Sequence, residues 1–273
     1  MNPRFSVIVV CLNSGDKLVN TVFSVLDQTF RDFEIIVKDG NSSDGSVEKL
    51  RKECLGEERI RYFAGEDGGI YDAMNRAVAE ATGQYLIFMN CGDYFADELV
   101  LNKVDRFIRE KGDPKGILYG NRLSRKSGSV EFSAPEITPF VCFRNLPCHQ
   151  SCIYSLECFR ERKYDISYRV RADYEHFLWW YFQGGRTCLY MPITISSYEG
   201  GGFSENPANV MRSKKEHREI TRKYLPLWQR FLFRAYLVVS LQPLRHYLAE
   251  SPRFSAGYNR LVQKIYGLRR KKS

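Results

Sequence analysis

Along the first part of the chain, short apolar runs alternate with stretches of helical spacing. FSVIVVCL (5–12) is a continuous run rich in Val and Ile, which reads as a strand buried on both faces. From Lys17 to Gln28, Leu18, Val22, Val25 and Leu26 recur at helical intervals. FEIIVKD (33–39) predicts a second strand and ends in the turn-rich GNSSDGS, where Asp44 or Ser43 can cap a helix running through Cys54. IRYFAG (60–65) predicts a third strand and a helix follows from about Ile70 to Thr82. QYLIFMN (84–90) predicts a fourth strand, with a helix over about 98–110. Repeated strand–helix units with near-continuous apolar strands imply a parallel sheet covered by helices on both faces. From about 117 to 200 the pattern changes: short strands (GILYGNRL, SVEFSA, SCIYSL) surround a helix, ADYEHFLWWYFQGG, that ends on paired glycines.

In a parallel sheet, ligands bind beyond the carboxyl ends of the strands. Four predicted strand ends carry polar residues: Asn13, then Asp39, then Glu66 with Asp67, then Asn90 with Asp93. NSGDK stands where a dinucleotide fold would place GxGxxG, and GxxxxGK[ST] occurs nowhere, so the usual phosphate cradles are missing. A nucleotide site would have to rely on side chains and a metal ion.

Five segments are candidates for that chemistry. YLIFMNCGDYF delivers Asn90 and Asp93 to a loop around Gly92; a carboxylate there suits a magnesium or manganese ion bridging two phosphates, and a turn Asp capping the next helix is the plain alternative. In VKDGNSSDGS, Asp39 can accept from a base imide or form an ordinary Asx-turn. In GEDGGIYDAMNRA, Asp72, Asn75 and Arg76 lie near a helix start, where Arg76 can meet a diphosphate or simply face solvent. RADYEHFLWW places Asp173 and Glu175 at another helix start, as a general base or as caps. CHQSCIY sets His149 and Gln150 before a strand, as site residues or structural ones.

Composition adds three constraints. At 273 residues with 44% hydrophobic and 27% charged side chains, the chain fits one large domain or a domain with an appendage. Its eight cysteines include no CxxC pair, which argues against a zinc site, and they read as reduced cytosolic thiols. The net charge of +9 is uneven: 16 basic against 3 acidic residues follow Met211, and 25 against 29 precede Arg212. The basic C-terminal part points to an anionic surface, either membrane or nucleic acid. FSVIVVCL is too short to span a bilayer, and so is FLFRAYLVVSL with its Arg234.

Taken in order, SVIVVCLN with SVLDQTF, FEIIVKDGNSSDGS, GIYDAMNRAVAEATGQYLIFMNCGD, CHQ and ADYE resemble the family 2 glycosyltransferases of GT-A fold, over roughly residues 4 to 205. The closest likeness is to members with an N-x-G-D metal motif, many of which act in polysaccharide or O-antigen assembly. The resemblance implies a Rossmann-like, mixed but mainly parallel sheet flanked by helices, as a catalytic domain over 1–206, with a basic helical tail over 207–273. It implies an inverting transfer from a nucleotide-sugar, by preference a UDP-sugar, to a glycan or polyprenyl-linked acceptor. Cys11, Asn13 and Asp39 would flank the nucleoside; Asp72, Asn75, Arg76 and Asn90 would serve the rest of the donor. Asp93 would hold the divalent cation (Mn2+ or Mg2+) and Asp173 would be the base. His149, Gln150, Glu175 and the GGGFS loop at 200–204 would close over donor and acceptor.

This chain departs from the family pattern at Asn90, where an aspartate is usual, and at Cys11–Leu12, where Thr-Tyr is usual. The tail lies outside the resemblance. LPLWQRFLFRAYLVVSLQPLRHYL interleaves aromatics with Arg as an interfacial helix would, and LRRKKS adds a polybasic end, so a cytoplasmic protein peripheral to the inner membrane face is expected. A helix packed on the catalytic domain is the alternative. Nucleic acid fits less well, because the aromatics form an apolar face. A sugar nucleotidyltransferase and an inactive nucleotide-sugar or carbohydrate-binding protein are the competing functions.

Overall fold

In the computed structural model, described over residues 2–183, 186–198, 200 and 206–239, four parallel strands form one half of a sheet. They are β1 (Phe5–Cys11), β2 (Phe33–Asp39), β3 (Ile60–Ala64) and β4 (Tyr85–Phe88), in the order β3-β2-β1-β4. The connections are α1 (Asp16–Leu26), α2 (Ser46–Glu53) and α3 (Ile70–Ala79). In register, Cys11 pairs with Asp39 and Asp39 with Ala64, so three strands end level with one another. Asp44 serves the entry to α2 differently from a cap: its Oδ1 accepts from the Ser46 amide and hydroxyl, while Gly45 at φ 77° is the N-cap residue.

The remaining elements extend the sheet. They are β5 (Tyr94–Phe95), α4 (Val100–Glu110), β6 (Gly116–Ser124), β7 (Ser129–Glu131), α5 (Pro139–Arg144), a 3-10 turn (His149–Ser151), β8 (Cys152–Ser155), α6 (Leu156–Glu161), α7 (Ala172–Phe182) and β9 (Thr187–Tyr198). The order continues β4-β8-β6-β9-β5, with β8 antiparallel to both β4 and β6, and β7 hydrogen-bonded to β6. The mixed, mainly parallel sheet flanked by helices is the one expected. β9, parallel to β6, has no counterpart in the sequence reading: its TCLYMPITISSY is interrupted by Pro192 and lacks both alternation and a continuous apolar run.

The alternating side chains of the strands feed two cores. Val7, Val9, Ile35, Val37 and Ile87 meet α1, α2 and α4 on one face. Ile8, Val10, Ile36, Leu86 and Phe88 meet α3, α5, α6 and α7 on the other, along with Ile220 of α8 (Pro207–Tyr224). The chain divides into compact units at Tyr224/Leu225 rather than at 206/207. Charge marks α8 as tail, but Ile220, Glu216 and Thr221 are buried in the first unit. The second unit contains α9 (Leu227–Val239), a helix with exposed Leu227, Trp228, Phe231 and Val239 beside Arg230 and Arg234. No helix among the described residues is long and apolar enough to cross a membrane. LRRKKS and all of the GGGFS loop but Gly200 lie outside the described residues.

Candidate functional site

The carboxyl ends of β1 and β2 are tied into one rim. Asp39 accepts from the Ser42 hydroxyl at 2.6 Å and the Ser42 amide at 3.0 Å, and the Cys11 thiol points to it at 3.7 Å. Burial, with Cys91 and the Asp39 charge beside it, pushes the Cys11 thiol far up, so it stays protonated. Asn13, in the left-handed region at φ 50°, accepts from the Ser43 amide with its side chain and donates its own amide to the Ser42 hydroxyl. Gly40 fills the gap between these ends: a Cβ there would lie 3.1 Å from Asp67 Oδ2 and 3.4 Å from the exposed Leu12. Lys38, which sequence reasoning passed over, is only 4% exposed and runs up the strand. Its ammonium donates to the Asp39 and Gly65 carbonyls at 2.7 and 2.6 Å and pairs with Asp67 at 3.3 Å.

Next to this rim stands the Asn90–Asp93 turn, with Cys91 Sγ donating to the Val10 carbonyl. Burial raises the Cys91 thiol to about 11. Gly92 adopts φ 99°, a conformation open to glycine at little cost. Gly92 is pinned on both sides: its amide donates to Thr21 Oγ1 at 2.9 Å, and Arg125 donates to its carbonyl at 2.5 Å. The Thr21 hydroxyl in turn donates to the Asp93 carbonyl at 3.0 Å. The Asp93 carboxylate is 6% exposed and accepts from Gln150 Nε2 at 2.7 Å. Gln150 thus serves the metal candidate directly, and is itself held through Oε1 by the Cys148 thiol.

A divalent ion fits this turn in one limited way. Asn90 Oδ1 is buried and has no hydrogen-bond partner, an orphan oxygen next to the Asp93 loop. Among the described residues no group of three or more His, Cys, Asp or Glu can hold a metal ion. One carboxylate and one amide oxygen suit a magnesium-like ion that keeps water and shares phosphate oxygens, and would not suit a fully protein-caged one.

Asp173 stands at the first turn of α7. Its Oδ1 accepts a 2.6 Å hydrogen bond from the Tyr71 hydroxyl, which also faces the Val170 carbonyl at 2.9 Å. Burial and the Asp173 charge raise the Tyr71 hydroxyl well above its ordinary range, so it remains a donor. Asp173, His149, Arg171 and Asn145 line one cleft. His149 stacks on Phe88 with centroids 5.0 Å apart and its Nε2 lies 2.8 Å from the Tyr164 hydroxyl. Burial lowers its basicity, leaving a neutral ring.

Four expected site residues remain, and the structure separates them. Asp72 accepts from the Gly68 amide at 2.8 Å and pairs with Arg76, four residues on, at 3.0 Å. That pair faces the glycine loop, and Arg76 is more than half exposed. Asn75, however, is spent on structure: its amide donates to the Tyr164 carbonyl and accepts from the Tyr164 amide, both at 2.9 Å. Glu175, expected near the acceptor, is fully buried, with Oε1 at 2.7 Å from Lys223, 2.5 Å from the Tyr224 hydroxyl and 3.0 Å from Arg162. Two residues along a helix turn the side chain by about 200°, so Asp173 and Glu175 cannot face the same space.

The family model described as Glycosyl transferase family 2 matches residues 6–184. The PGL/p-HBAD biosynthesis glycosyltransferase of Mycobacterium bovis (strain BCG / Pasteur 1173P2) is 32% identical over 206 residues, covering 74% of this chain and 79% of that protein. Two solved structures share the fold. S. aureus TarS 1-349 in complex with UDP is 20% identical, with 82% of this chain and 71% of that one covered and a TM-score of 0.61. Mannosyltransferase PcManGT from Pyrobaculum calidifontis, in complex with GDP-Man and Mn2+, is 15% identical, with 98% and 81% covered and a TM-score of 0.64. Against the longer TarS chain, the match covers 44% of that chain.

Proposed function

The chain belongs to glycosyl transferase family 2, and on that footing we propose that it is a metal-dependent, inverting glycosyltransferase. Its donor is a nucleoside-diphosphate sugar, by preference a UDP-sugar, and its acceptor is a glycan or a lipid-linked saccharide of a cell-surface polysaccharide. The observation that carries the reading is the placement of Asp93 and Asp173. One is a buried carboxylate beside an orphan amide oxygen, the other a carboxylate held by a hydroxyl in a cleft. Support for the donor class comes from the UDP in the TarS complex and the GDP-Man and Mn2+ in the PcManGT complex. Support for the pathway class comes from the biosynthetic role in the name of the mycobacterial relative.

Asp93, assisted by Asn90 Oδ1, would hold the cation, which when bound neutralises charge on the diphosphate. Asp39, Cys11 and Asn13 frame the nucleoside end, with Arg76 and Asp72 toward the glycine loop. Asp173 takes the proton of the acceptor hydroxyl. With Oδ1 occupied by Tyr71, Oδ2 is the oxygen that receives it. The freed acceptor oxygen attacks the anomeric carbon as its bond to the diphosphate breaks, and the nucleoside diphosphate leaves. A single displacement inverts the anomeric centre. We further propose that the protein works at the cytoplasmic membrane face, with α9 and the basic residues after it against anionic lipid.

Calorimetry of UDP tests the donor half of this reading. UDP should bind with manganese, more weakly without it, and at least tenfold more weakly to Asp93→Ala. Equal binding with and without the ion, unaffected by Asp93→Ala, would remove the metal from the account.

A further inference from the structure

Helix α8 begins beyond residue 184, where the family match ends, yet it reaches back to the first turn of α7. Its Glu216 is 6% exposed and accepts three backbone amides in a row. Oε1 takes the Arg169 amide at 3.0 Å, and Oε2 takes those of Val170 and Arg171 at 2.9 Å each. One turn earlier on the same helix, Ser213 accepts from Arg171 Nε at 2.9 Å. These are the residues that lead into α7, whose own N-cap residue, Arg171, provides no side-chain cap. The Arg171 amide is one of the N–H groups that a helix start leaves unpaired, the other two lie on the approach to it, and the carboxylate also sits at the positive end of the helix dipole. At the far end of α8, Lys223 and Tyr224 hold Glu175, two residues beyond Asp173. The first turn of α7 is therefore fastened by α8 on either side of Asp173.

We propose that Glu216 is a positioning residue for the transfer reaction: it fixes the 169–171 backbone and so the angle at which Asp173 presents its carboxylate to the acceptor. The inference rests on the reading of Asp173 as the base. A misplacement of about 1 Å at a reacting group costs on the order of a hundredfold in rate, and the Tyr71 hydrogen bond to Oδ1 does not hold the backbone that Glu216 fastens. Glu216 itself touches neither substrate nor reacting atoms.

The test uses full-length Glu216→Gln and Glu216→Asp, with wild type and Asp173→Asn. Glutamine sets an amide donor against backbone donors, whereas aspartate keeps the charge on a shorter arm and serves as the variant that folds if the first does not. Hydrogen exchange at the 169–171 amides should be at least tenfold faster in Glu216→Gln, with exchange in β1 and β2 unchanged. The kinetic substrate is the UDP-, GDP- or dTDP-sugar from which wild type releases nucleoside diphosphate fastest with manganese and a lipid-linked saccharide acceptor. On it, kcat should fall about 10- to 100-fold with the donor KM within twofold, and Glu216→Asp should recover part of the loss. In an Asp173→Asn background, adding Glu216→Gln should change the residual rate less than twofold. Unchanged exchange, an unchanged kcat, or a full further loss in the Asp173→Asn background would overturn the proposal. A wild type silent on every donor is a different failure: it removes the base assignment, and the positioning claim with it.

Discussion

Single side chains at this site are aimed by partners far away in sequence. Tyr71 and Asp173 are about a hundred residues apart, and Thr21 of α1 reaches the Asp93 carbonyl 72 residues on. The polar strand ends, Asn13, Asp39 and Asp93, are legible in the sequence because an apolar run that stops at a polar turn is a local signal. Tyr71, Thr21 and Glu216 leave no such signal: an aromatic, a helical threonine and a glutamate in a basic helix look ordinary until the fold brings them to a carboxylate or an amide. Glu175 is turned away from the cleft, since helical rotation, not sequence distance, decides which carboxylate faces it. Removing the Tyr71 hydroxyl is the sharpest test at this scale. Hydrogen bonds to charged groups contribute about 1.5–3 kcal/mol, so Tyr71→Phe should lower kcat roughly 10- to 100-fold while leaving UDP affinity, read by calorimetry, unchanged.

At the scale of elements, α7 carries a second buried group with a measurable consequence. His176 stacks on Phe159 at 4.6 Å, and its Nε2–H donates to the Arg162 carbonyl at 2.8 Å. Nδ1 is then a buried nitrogen without a hydrogen-bond partner. Burial accordingly lowers this histidine from 6.5 to about 4. The folded value lies below the unfolded one, so the unfolded chain takes up a proton first as pH falls. The contribution of His176 to stability is whole above about pH 6.5 and declines between about 6.5 and 4. Its total loss is on the order of 3 kcal/mol. Urea melts at pH 7.5 and 5 should show about two thirds of this loss in wild type and a smaller one in His176→Phe; equal pH slopes would contradict it. The parallel half of the sheet was readable because each βα unit repeats the same pattern. The strands β5 and β9 were not, since two residues and a Pro-interrupted run are made strands by pairing with distant partners.

For the whole molecule, charge asymmetry was the visible signal, and it overstated the tail. α8 is as basic as the rest of the C-terminal part, yet its buried Glu216 and Ile220 make it part of the catalytic unit, while α9 belongs to the second. If the residues after Tyr224 serve as a lipid contact, full-length protein should sediment with phosphatidylserine-containing vesicles. Binding should weaken in high salt, and a chain ending at Tyr224 should stay in solution. Sedimentation of the shortened chain equal to that of the full one would place the contact elsewhere. Asp93 and Asp173 together are proposed to carry the sugar transfer. The most direct test of this claim is release of nucleoside diphosphate from a panel of UDP-, GDP- and dTDP-sugars with manganese and a lipid-linked saccharide acceptor. Turnover of one donor by wild type, lost in both Asp93→Ala and Asp173→Ala, is the result predicted; turnover that survives either substitution, or none from any donor, would contradict it.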